Sequence, residues 1–347
     1  MLINIEEHLI LYNKTVLEAL KQLNNLPKTL TLFVVNEKKQ LLGTLTDGDI
    51  RRGLINGKTL NESIEQFIKK QFYSLRGDID VKVIKNLKTE GIRLLPFLNE
   101  NDEITKVYDL KGLHSVLPLD IVIMAGGKGE RLRPITDNIP KPMIPLGNKP
   151  IIEHTIDHLI NFGIDKLYIS VNYLKEQIID YFGDGSIKGI QIQYIEETKP
   201  LGTAGALTLI DNFKHDVLLT NSDLFTSIDY EDLYLAFIEK NADLAIASVP
   251  YTVNIPYAIL EEKDNSVKSF KEKPTNSHFA NAGIYIVKKE LLKNIPHNTF
   301  YNATDLIQYS LDRKLKVIHN QIVGYWIDIG SFDDLKRAED IYKHIYR

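Results

Sequence analysis

The most constraining feature of the sequence is an apolar run that breaks into a glycine-rich loop, DIVIMAGGKGERLRP at residues 120–134. The run predicts a buried β-strand, and Gly126, Gly127 and Gly129 would let backbone N–H groups approach an anion without obstruction by a Cβ atom. Arg131 adds a fork of donors that suits phosphate oxygens. A tight turn uses the same residues, so the loop alone indicates either a turn or a phosphate site.

Two common phosphate-binding loops can be excluded on spacing. The Walker A pattern requires Gly-Lys-Ser/Thr after four spacer residues, whereas this chain has Gly129-Glu130-Arg131. The dinucleotide fingerprint requires a third glycine at the position of Arg131 or Leu132. The spacing therefore argues against a P-loop NTPase and against a dinucleotide-binding dehydrogenase.

Helix and strand patterns alternate after this loop. Helices are predicted at residues 151–162 and 174–182, and strands at residues 166–174, 190–195 and 216–223. The alternation predicts an α/β fold with a mostly parallel, Rossmann-like sheet and helices on both faces. Such sheets bind ligands at the carboxyl ends of their strands, where the glycine loop and Asp223 would both lie.

A lysine held between prolines follows the glycine loop, in Ile139-Pro140-Lys141-Pro142-Met143. The two prolines restrict the backbone on both sides of Lys141. A solvated lysine in a rigid surface turn is the simpler interpretation. Beside a phosphate loop, however, a lysine fixed in this way can stabilise a phosphoryl group in a transition state.

Composition narrows the class of protein. The chain has 347 residues, and domains average about 150 residues, which favours two domains. A net charge of −4 lacks the basic excess of a nucleic-acid or acidic-membrane binder. The absence of cysteine excludes a disulfide scaffold, a Cys-ligated metal and a thiol nucleophile. Neither a signal peptide nor an apolar run of the roughly 18 residues of a membrane span is present, so we expect a cytoplasmic protein.

The first 118 residues show a different, internally repeated pattern. The first copy is predicted to have a helix, a hairpin and a second helix, at residues 15–25, 31–45 and 47–55. The second copy is predicted to have a helix at residues 81–90, followed by a hairpin and the start of a helix within residues 92–110. A unit of about 50 residues is unlikely to be stable alone, so the copies should pack together. A Gly and a Pro within 112–120 predict a boundary between domains 1–118 and 119–347.

The glycine loop and the lysine together resemble the signature of sugar-1-phosphate nucleotidyltransferases. Further segments follow in the order expected of that family, namely PLGTAGAL, NSD, EKP, NAGIY and WIDIG, which begin at residues 200, 221, 272, 281 and 326. The resemblance covers residues 120–347. It implies Mg²⁺-dependent transfer of a nucleotidyl group from a nucleoside triphosphate to a sugar 1-phosphate, with release of pyrophosphate.

The resemblance also implies roles for single residues. Catalysis would depend on cations at the phosphates and on a metal aspartate, namely Arg131, Lys141, Asp223 and Lys273. Asp223 and Asp328 would hold one Mg²⁺ between them. The nucleotide would contact Gly126, Gly127, Gly129, Gly202 and Thr203, and the sugar would contact Ala258, Glu272, Lys273 and Asn281.

Several of these residues have structural interpretations as well. Asp223 could be a turn residue and Asp328 a strand-edge carboxylate facing water, although a buried carboxylate needs a partner. Thr203 could cap a helix over residues 204–210. Asn281 stands in an otherwise apolar strand and would need buried partners, which suits a hydroxyl-binding role.

The chain departs from the family pattern at two positions. Glu130 replaces the threonine that is usual after the last glycine of the loop, and Ala258 follows Tyr257 where many relatives have glycine. The additional methyl group of Ala258 would reshape the sugar pocket, so the sugar stays open. Neither departure affects the expected chemistry.

The N-terminal repeat resembles a pair of CBS motifs, in GTLTDGDIRR from residue 43 and EITKVYDL from residue 103. The resemblance implies a homo-oligomer and an adenine nucleotide, with Thr46 and Asp49 as contacts in the first copy and Asp109 in the second. Lys106 stands at the Ser/Thr position of the second copy. A dimerisation module without a ligand is an equally weighted alternative.

The joining of a CBS pair to such a catalytic domain resembles the organisation of guanylyltransferases in bacterial legionaminic acid pathways. This implies GTP and glucosamine 1-phosphate as substrates. The alternatives are mannose 1-phosphate with GTP, and glucose 1-phosphate with UTP, dTTP or CTP. A catalytically silent sensor of nucleotides or sugar phosphates is a hypothesis of another class, against which the complete set of Arg131, Lys141, Asp223 and Asp328 argues.

Overall fold

The computed structural model describes residues 3–26 and 29–345, which divide into two compact units. The first unit comprises the chain up to Pro118 together with Ile160–Asp165, and the second comprises Leu119–Leu159 and the chain from Lys166 onward. Within the first unit, Leu117 N–H donates to the carbonyl of Phe162 at 3.0 Å. This segment therefore belongs to the first unit although it is distant from it in sequence.

The first unit is built from short helices and strands. They are α1 Ile5–His8, β1 Leu9–Leu11, α2 Val16–Asn25, β2 Thr31–Val35, β3 Leu41–Thr46, α3 Asp47–Ile55, α4 Val81–Thr89, β4 Leu94–Leu98 and β5 Ile104–Asp109. Strand β1 pairs in parallel with β2, β2 pairs antiparallel with β3, and β4 and β5 form a separate hairpin. The helix start predicted at the end of the segment 92–110 is wrong, because β5 continues to Asp109 and residues 110–118, all described, contain no helix.

The two hairpin turns of this unit are built alike. Asn36 Oδ1 accepts hydrogen bonds from the N–H groups of residues 38 and 40, and Asn99 Oδ1 accepts from those of residues 101 and 103, all at 2.9 Å. Lys39 and Asp102 take the corresponding positive φ angles, 61° and 66°. The side chain of an asparagine thus closes each turn in the same way.

The second unit contains a larger sheet with helices. Its elements are β6 Leu119–Met124, β7 Pro145–Leu146, β8 Lys149–Pro150, α5 Ile151–Ile160, β9 Lys166–Val171, α6 Lys175–Phe182, β10 Gln191–Glu196, β11 Asp216–Asn221, β12 Leu224–Thr226, α7 Tyr230–Glu239, β13 Leu244–Asn254, β14 Ile259–Lys263, β15 Ser266–Lys271, β16 Thr275–Val287, α8 Ala303–Asp312, β17 Val317–Gln321, β18 Trp326–Asp328 and α9 Phe332–Ile345.

The central sheet has the order β10-β9-β6-β11-β16-β13-β17. Strand β16 runs antiparallel to both of its neighbours, and the other pairings are parallel. Ile121, Val122 and Ile123 are completely buried on both faces of β6, as expected of a strand covered by helices. The predicted α/β class with a mostly parallel sheet is confirmed.

One part of the second unit projects from this packed sheet. Residues 250–281, which we call the arm, comprise the outer halves of β13 and β16 and the hairpin β14–β15, and none of them is buried. Large apolar side chains are exposed there, including Tyr257 at 74%, Phe270 at 64% and Leu260 at 60%.

Among the described residues, no helix is long and apolar enough to cross a membrane.

Candidate active site

The glycine loop follows β6 at the carboxyl edge of the sheet. At Gly126 an added Cβ would lie 2.9 Å from Glu197 Oε1, and at Gly129, where φ is 64°, it would lie 2.8 Å from the Cβ of Lys141. At Gly127 an added Cβ would meet no atom within 4 Å. Two glycines are thus required by close packing, and the third faces open space beside the loop.

Lys141 is held at the centre of the site and is not a solvated surface residue. It opens a short 3-10 helix after Pro140, and its side chain is only 12% exposed. The ammonium group forms an ion pair with Asp223 and lies 3.8 Å from Asp328 Oδ1. A buried ammonium needs such partners because its desolvation is costly.

Two aspartates from separate strands meet at this lysine. Asp223 follows β11, and Asp328 ends β18, which pairs with β12 so that Leu224 lies opposite Asp328. The Oδ1 atoms of Asp223 and Asp328 are buried and have no hydrogen-bond partner. Burial first, and then the charge of Asp223, raise the pKa of Asp328, while the cations Lys141 and Arg131 oppose this shift.

Arg131 completes the cluster. It belongs to a 3-10 helix, Glu130–Leu132, directly after Gly129. A Cβ added at Gly330 would lie 2.9 Å from its guanidinium group, so Arg131 packs against the backbone that follows Asp328. Four of the predicted catalytic and metal residues are thereby brought together, namely Arg131, Lys141, Asp223 and Asp328.

The donor set of this cluster fits a magnesium ion. Within the described residues there is no group of three or more His, Cys, Asp or Glu side chains arranged for a metal. Mg²⁺ needs only one or two carboxylates, since it keeps several waters and takes further oxygens from substrate phosphates. The buried Oδ1 atoms of Asp223 and Asp328, which accept no hydrogen bond, are suitable ligands for it.

A cavity of about 280 Å³ adjoins the cluster. Its lining includes the predicted nucleotide residues Gly126, Gly127, Gly202 and Thr203 together with Lys141 and Asp223. Gly129 does not line it, because this glycine packs against Lys141 and Thr136 instead. Four of the five predicted nucleotide residues therefore converge on one cavity at the carboxyl edge of the sheet.

The helix expected over 204–210 is a 3-10 helix, Gly205–Leu209, and Thr203 does not cap it. The hydroxyl of Thr203 instead accepts from Ala303 N–H at 2.8 Å, at the start of α8. The prediction failed because it considered only the residues that follow Thr203. Ala303, the partner of the Thr203 hydroxyl, is distant in sequence and meets it only in the folded protein.

Glu197, which belongs to none of the recognised motifs, lines the same cavity. Its Oε1 accepts from Ser170 Oγ at 2.5 Å, and its Oε2 accepts from Leu201 N–H at 2.9 Å. These two bonds fix a carboxylate in the wall of the cavity. The sequence did contain a signal for this residue, because Glu197 directly follows β10, and ligands bind at the carboxyl ends of strands in such sheets.

The predicted sugar residues are arranged differently. Ala258, Glu272 and Lys273 lie on the arm, are exposed, and do not line the nucleotide cavity. Asn281 is also exposed, yet it has the buried partners expected of it: its amide donates to Tyr285 Oη at 2.8 Å, its Oδ1 accepts from Gly283 N–H at 3.0 Å, and both partners are buried. Asn281 lies where β16 leaves the packed sheet, which explains its exposure.

The candidate ligand residues of the first unit make structural contacts. Thr46 and Asp49 form a capping box at α3, with Thr46 Oγ1 donating to Asp49 Oδ2 at 2.5 Å and accepting from Asp49 N–H at 3.2 Å. Asp109 pairs with Arg93 at 3.2 Å. Lys106 forms an ion pair with Asp165. Ligand binding by this unit stays a prediction.

Known proteins match the second unit of the chain. Residues 120–344 match the model of the nucleotidyl transferase family. The D-glycero-α-D-manno-heptose 1-phosphate guanylyltransferase of Aneurinibacillus thermoaerophilus is 31% identical over 65% of this chain and 99% of that protein. The bifunctional protein GlmU of Methanocaldococcus jannaschii is 34% identical over 63% of this chain and 53% of its own length, so the chain spans about half of that relative.

Solved structures share the fold. HddC from Yersinia pseudotuberculosis is 27% identical, with a TM-score of 0.51 over 65% of this chain and 99% of that one. A putative glucose-1-phosphate thymidylyltransferase from Bacillus anthracis has a TM-score of 0.54 at 24% identity, over 66% of this chain and 97% of that one. The family match begins at residue 120, so it does not cover residues 1–119.

Proposed function

Since the chain belongs to the nucleotidyl transferase family, we propose that it transfers a nucleotidyl group from a nucleoside triphosphate to a sugar 1-phosphate, releasing pyrophosphate. The observation that carries the proposal is the convergence of Arg131, Lys141, Asp223 and Asp328 beside a cavity bordered by the glycine loop. The names of relatives that act on heptose 1-phosphate and mannose 1-phosphate support it.

The cluster suits displacement at a phosphorus atom. Backbone N–H groups of the glycine loop and the guanidinium of Arg131 would bind the outer phosphates, and Lys141 would donate to the attacked phosphate, where negative charge grows. Asp223 and Asp328 would hold Mg²⁺, which when bound neutralises phosphate charge. The sugar phosphate oxygen is already an anion, so the attack requires neither a general base nor a covalent intermediate.

Glu197 supports guanine as the base. An ionised carboxylate only accepts hydrogen bonds, and it has about four lone-pair sites, of which Ser170 and Leu201 engage two. The Watson–Crick edge of guanine presents adjacent N1–H and N2–H₂ donors, which match the remaining capacity. Uracil and thymine present a single donor between two acceptors. We therefore propose GTP as the nucleotide.

Glucosamine 1-phosphate remains the proposed acceptor, on the resemblance of the N-terminal repeat to a CBS pair and hence to the legionaminic acid pathway. Mannose, glucose and heptose 1-phosphates are the alternatives. We also propose, on the same resemblance, a cytoplasmic homo-oligomer whose first unit binds an adenine nucleotide. Titration of the full chain with AMP and ATP tests that last point, and the absence of both heat and a melting shift would remove it.

The experiment is a pyrophosphate-release assay with Mg²⁺ across GTP, UTP, dTTP, CTP and ATP and the four sugar 1-phosphates. We expect GTP to give the highest kcat/KM, and Asp223→Asn to abolish the release. Glu197→Gln should shift the preference from GTP towards UTP and dTTP, because an amide can also donate. Nucleotide binding without turnover in any combination would instead favour a catalytically silent sensor.

A further inference from the structure

A threonine downstream of the glycine loop holds that loop by its backbone. Thr136 lies in a short 3-10 helix, Ile135–Asp137, and is only 1% exposed. Its hydroxyl donates to the carbonyl of Gly129 at 2.9 Å. The same carbonyl accepts from Leu132 N–H, also at 2.9 Å, so both of its lone pairs are engaged. The orientation of this one peptide group is therefore fixed by two donors.

The segment that contains Thr136 is itself held by a tyrosine. Tyr173 follows β9, and its Oη lies 3.0 Å from the carbonyl oxygen of Thr136 and 3.3 Å from that of Asp137, so the O–H group can donate to either. In the first turn of α6, Gln177 Nε2 donates to the carbonyl of Asn138 at 2.8 Å. The backbone of residues 136–138 is thereby tied to the segment that follows β9.

We infer that Thr136 and Tyr173 are positioning residues, which fix the glycine loop through Gly129 although neither lines the nucleotide cavity. The inference rests on the proposed function, in which N–H groups of this loop bind the outer phosphates. In a trans peptide the carbonyl and the next N–H point in opposite directions, so fixing the Gly129 carbonyl also fixes the N–H of Glu130. A donor stabilises a transition state best when its direction is set before the substrate arrives.

The two cations of the site depend on the same glycine. Arg131 follows Gly129 by two residues, in the 3-10 helix that begins at Glu130. A Cβ added at Gly129 would lie 2.8 Å from Lys141 Cβ and 3.0 Å from Thr136 Cγ2, so this glycine is enclosed between the two side chains. Catalytic groups must be held to within about 0.5 Å of their productive positions. A displacement of Gly129 would therefore weaken both cations.

The test removes single hydroxyl groups. Thr136→Val replaces the hydroxyl with a methyl group, Thr136→Ser keeps the hydroxyl, and Tyr173→Phe removes the donor to the 136–138 backbone. Tyr181→Phe is the matched control, because Tyr181 lies on α6 and its hydroxyl donates at 2.7 Å to Glu153 on α5. The Gly129 carbonyl keeps its backbone hydrogen bond in all four variants, so the melting temperature should fall by no more than about 5 °C.

We expect Thr136→Val to lower kcat/KM for the nucleoside triphosphate about tenfold, and Tyr173→Phe about threefold, since the tyrosine acts through one further bond. Thr136→Ser and Tyr181→Phe should stay within about twofold of the wild type, as should the KM for the sugar 1-phosphate in every variant. Because the two residues act in series, combining Thr136→Val with Tyr173→Phe should lose no more than Thr136→Val alone. An equal loss in Thr136→Ser, or losses that multiply in the double variant, would overturn the inference.

A second measurement does not depend on turnover. Calorimetric titration of the full chain with inorganic pyrophosphate and Mg²⁺ probes the phosphate-binding groups without a base or a sugar. The dissociation constant should rise about tenfold in Thr136→Val and stay unchanged in Tyr181→Phe. This result without turnover in any protein would overturn the proposed function but not the inference, whereas neither binding nor turnover would overturn both. Turnover with kcat/KM and pyrophosphate binding unchanged in Thr136→Val would overturn the inference alone.

Discussion

The nucleotide side of the candidate site and the arm were both predicted from motifs, yet they are held very differently. Lys141 is 12% exposed and lies between two carboxylates, whereas Lys273 is exposed on a projecting hairpin with none of its neighbours buried. Both lysines belong to segments that match the family pattern. A motif therefore identifies a residue, but only packing fixes its charge at a defined place.

The largest expected effect concerns these two lysines. Lys141→Ala should lower kcat by about a hundred- to a thousandfold, because a preorganised cation is lost from the attacked phosphate. Lys273→Ala should change kcat by less than about tenfold, since a solvent-exposed charge is worth less. Steady-state kinetics measures both. Equal losses in the two variants would show that the arm contacts the reacting groups during turnover, and would contradict the difference expected between the two lysines.

The glycines of the loop give the next effect. Gly129→Ala should destabilise the protein by about 1–3 kcal/mol, because its φ of 64° is strained for alanine and the new methyl group would overlap Lys141. Gly127→Ala serves as the control, since an added Cβ there meets no atom within 4 Å. Chemical denaturation of both variants measures the difference. A Gly129→Ala protein as stable as the control would mean that the loop is not packed against Lys141.

A smaller effect is expected in the first unit, which tests whether its candidate ligand residues are structural. Thr46→Ala should cost about 1 kcal/mol of stability through loss of the helix cap, and Thr46→Ser should restore most of it. If Thr46→Ala instead leaves unfolding unchanged but weakens adenine nucleotide binding, its role is in binding rather than capping. Denaturation and titration of the full chain distinguish the two.

The smallest effect belongs to the arm. Lys271 pairs with Glu261 at 2.9 Å, and both side chains are more than half exposed to solvent. Lys271→Ala should therefore leave the melting temperature within experimental error, because exposed ion pairs contribute little. A clear fall in the melting temperature would show that this pair is shielded from water in solution, contrary to the exposure of the arm.

Much of the architecture was predictable because it depends on local pattern. Alternating strands and helices around the glycine loop predicted the α/β class, and the family resemblance predicted that Asp223 and Asp328 would meet. The hydrogen bond that the Thr203 hydroxyl accepts at the start of α8 was not predictable, since α8 is distant in sequence. The exposure of the arm was equally hidden, because its large apolar residues, among them Leu260 and Phe270, are of types that are usually buried.

Glu197 and Asp109 show two further limits of prediction from the sequence. Glu197 could have been selected, because its position after a strand was recognisable, but an isolated glutamate has many structural explanations. The helix expected after Asp109 does not form, since the carboxylate of Asp109 accepts from Lys111 N–H at 3.1 Å and turns the chain there. Such competition between a side chain and the backbone is decided by geometry rather than by composition.

The contact of Lys141 with both aspartates has a thermodynamic consequence for the proposed function. Without a divalent ion, the ammonium group is the counter-ion of the carboxylate pair, so ion binding becomes an exchange of one cation for another. The displaced ammonium then needs a new anion, which the triphosphate supplies. Nucleotide and metal should therefore strengthen each other's binding by the same factor, as linkage requires.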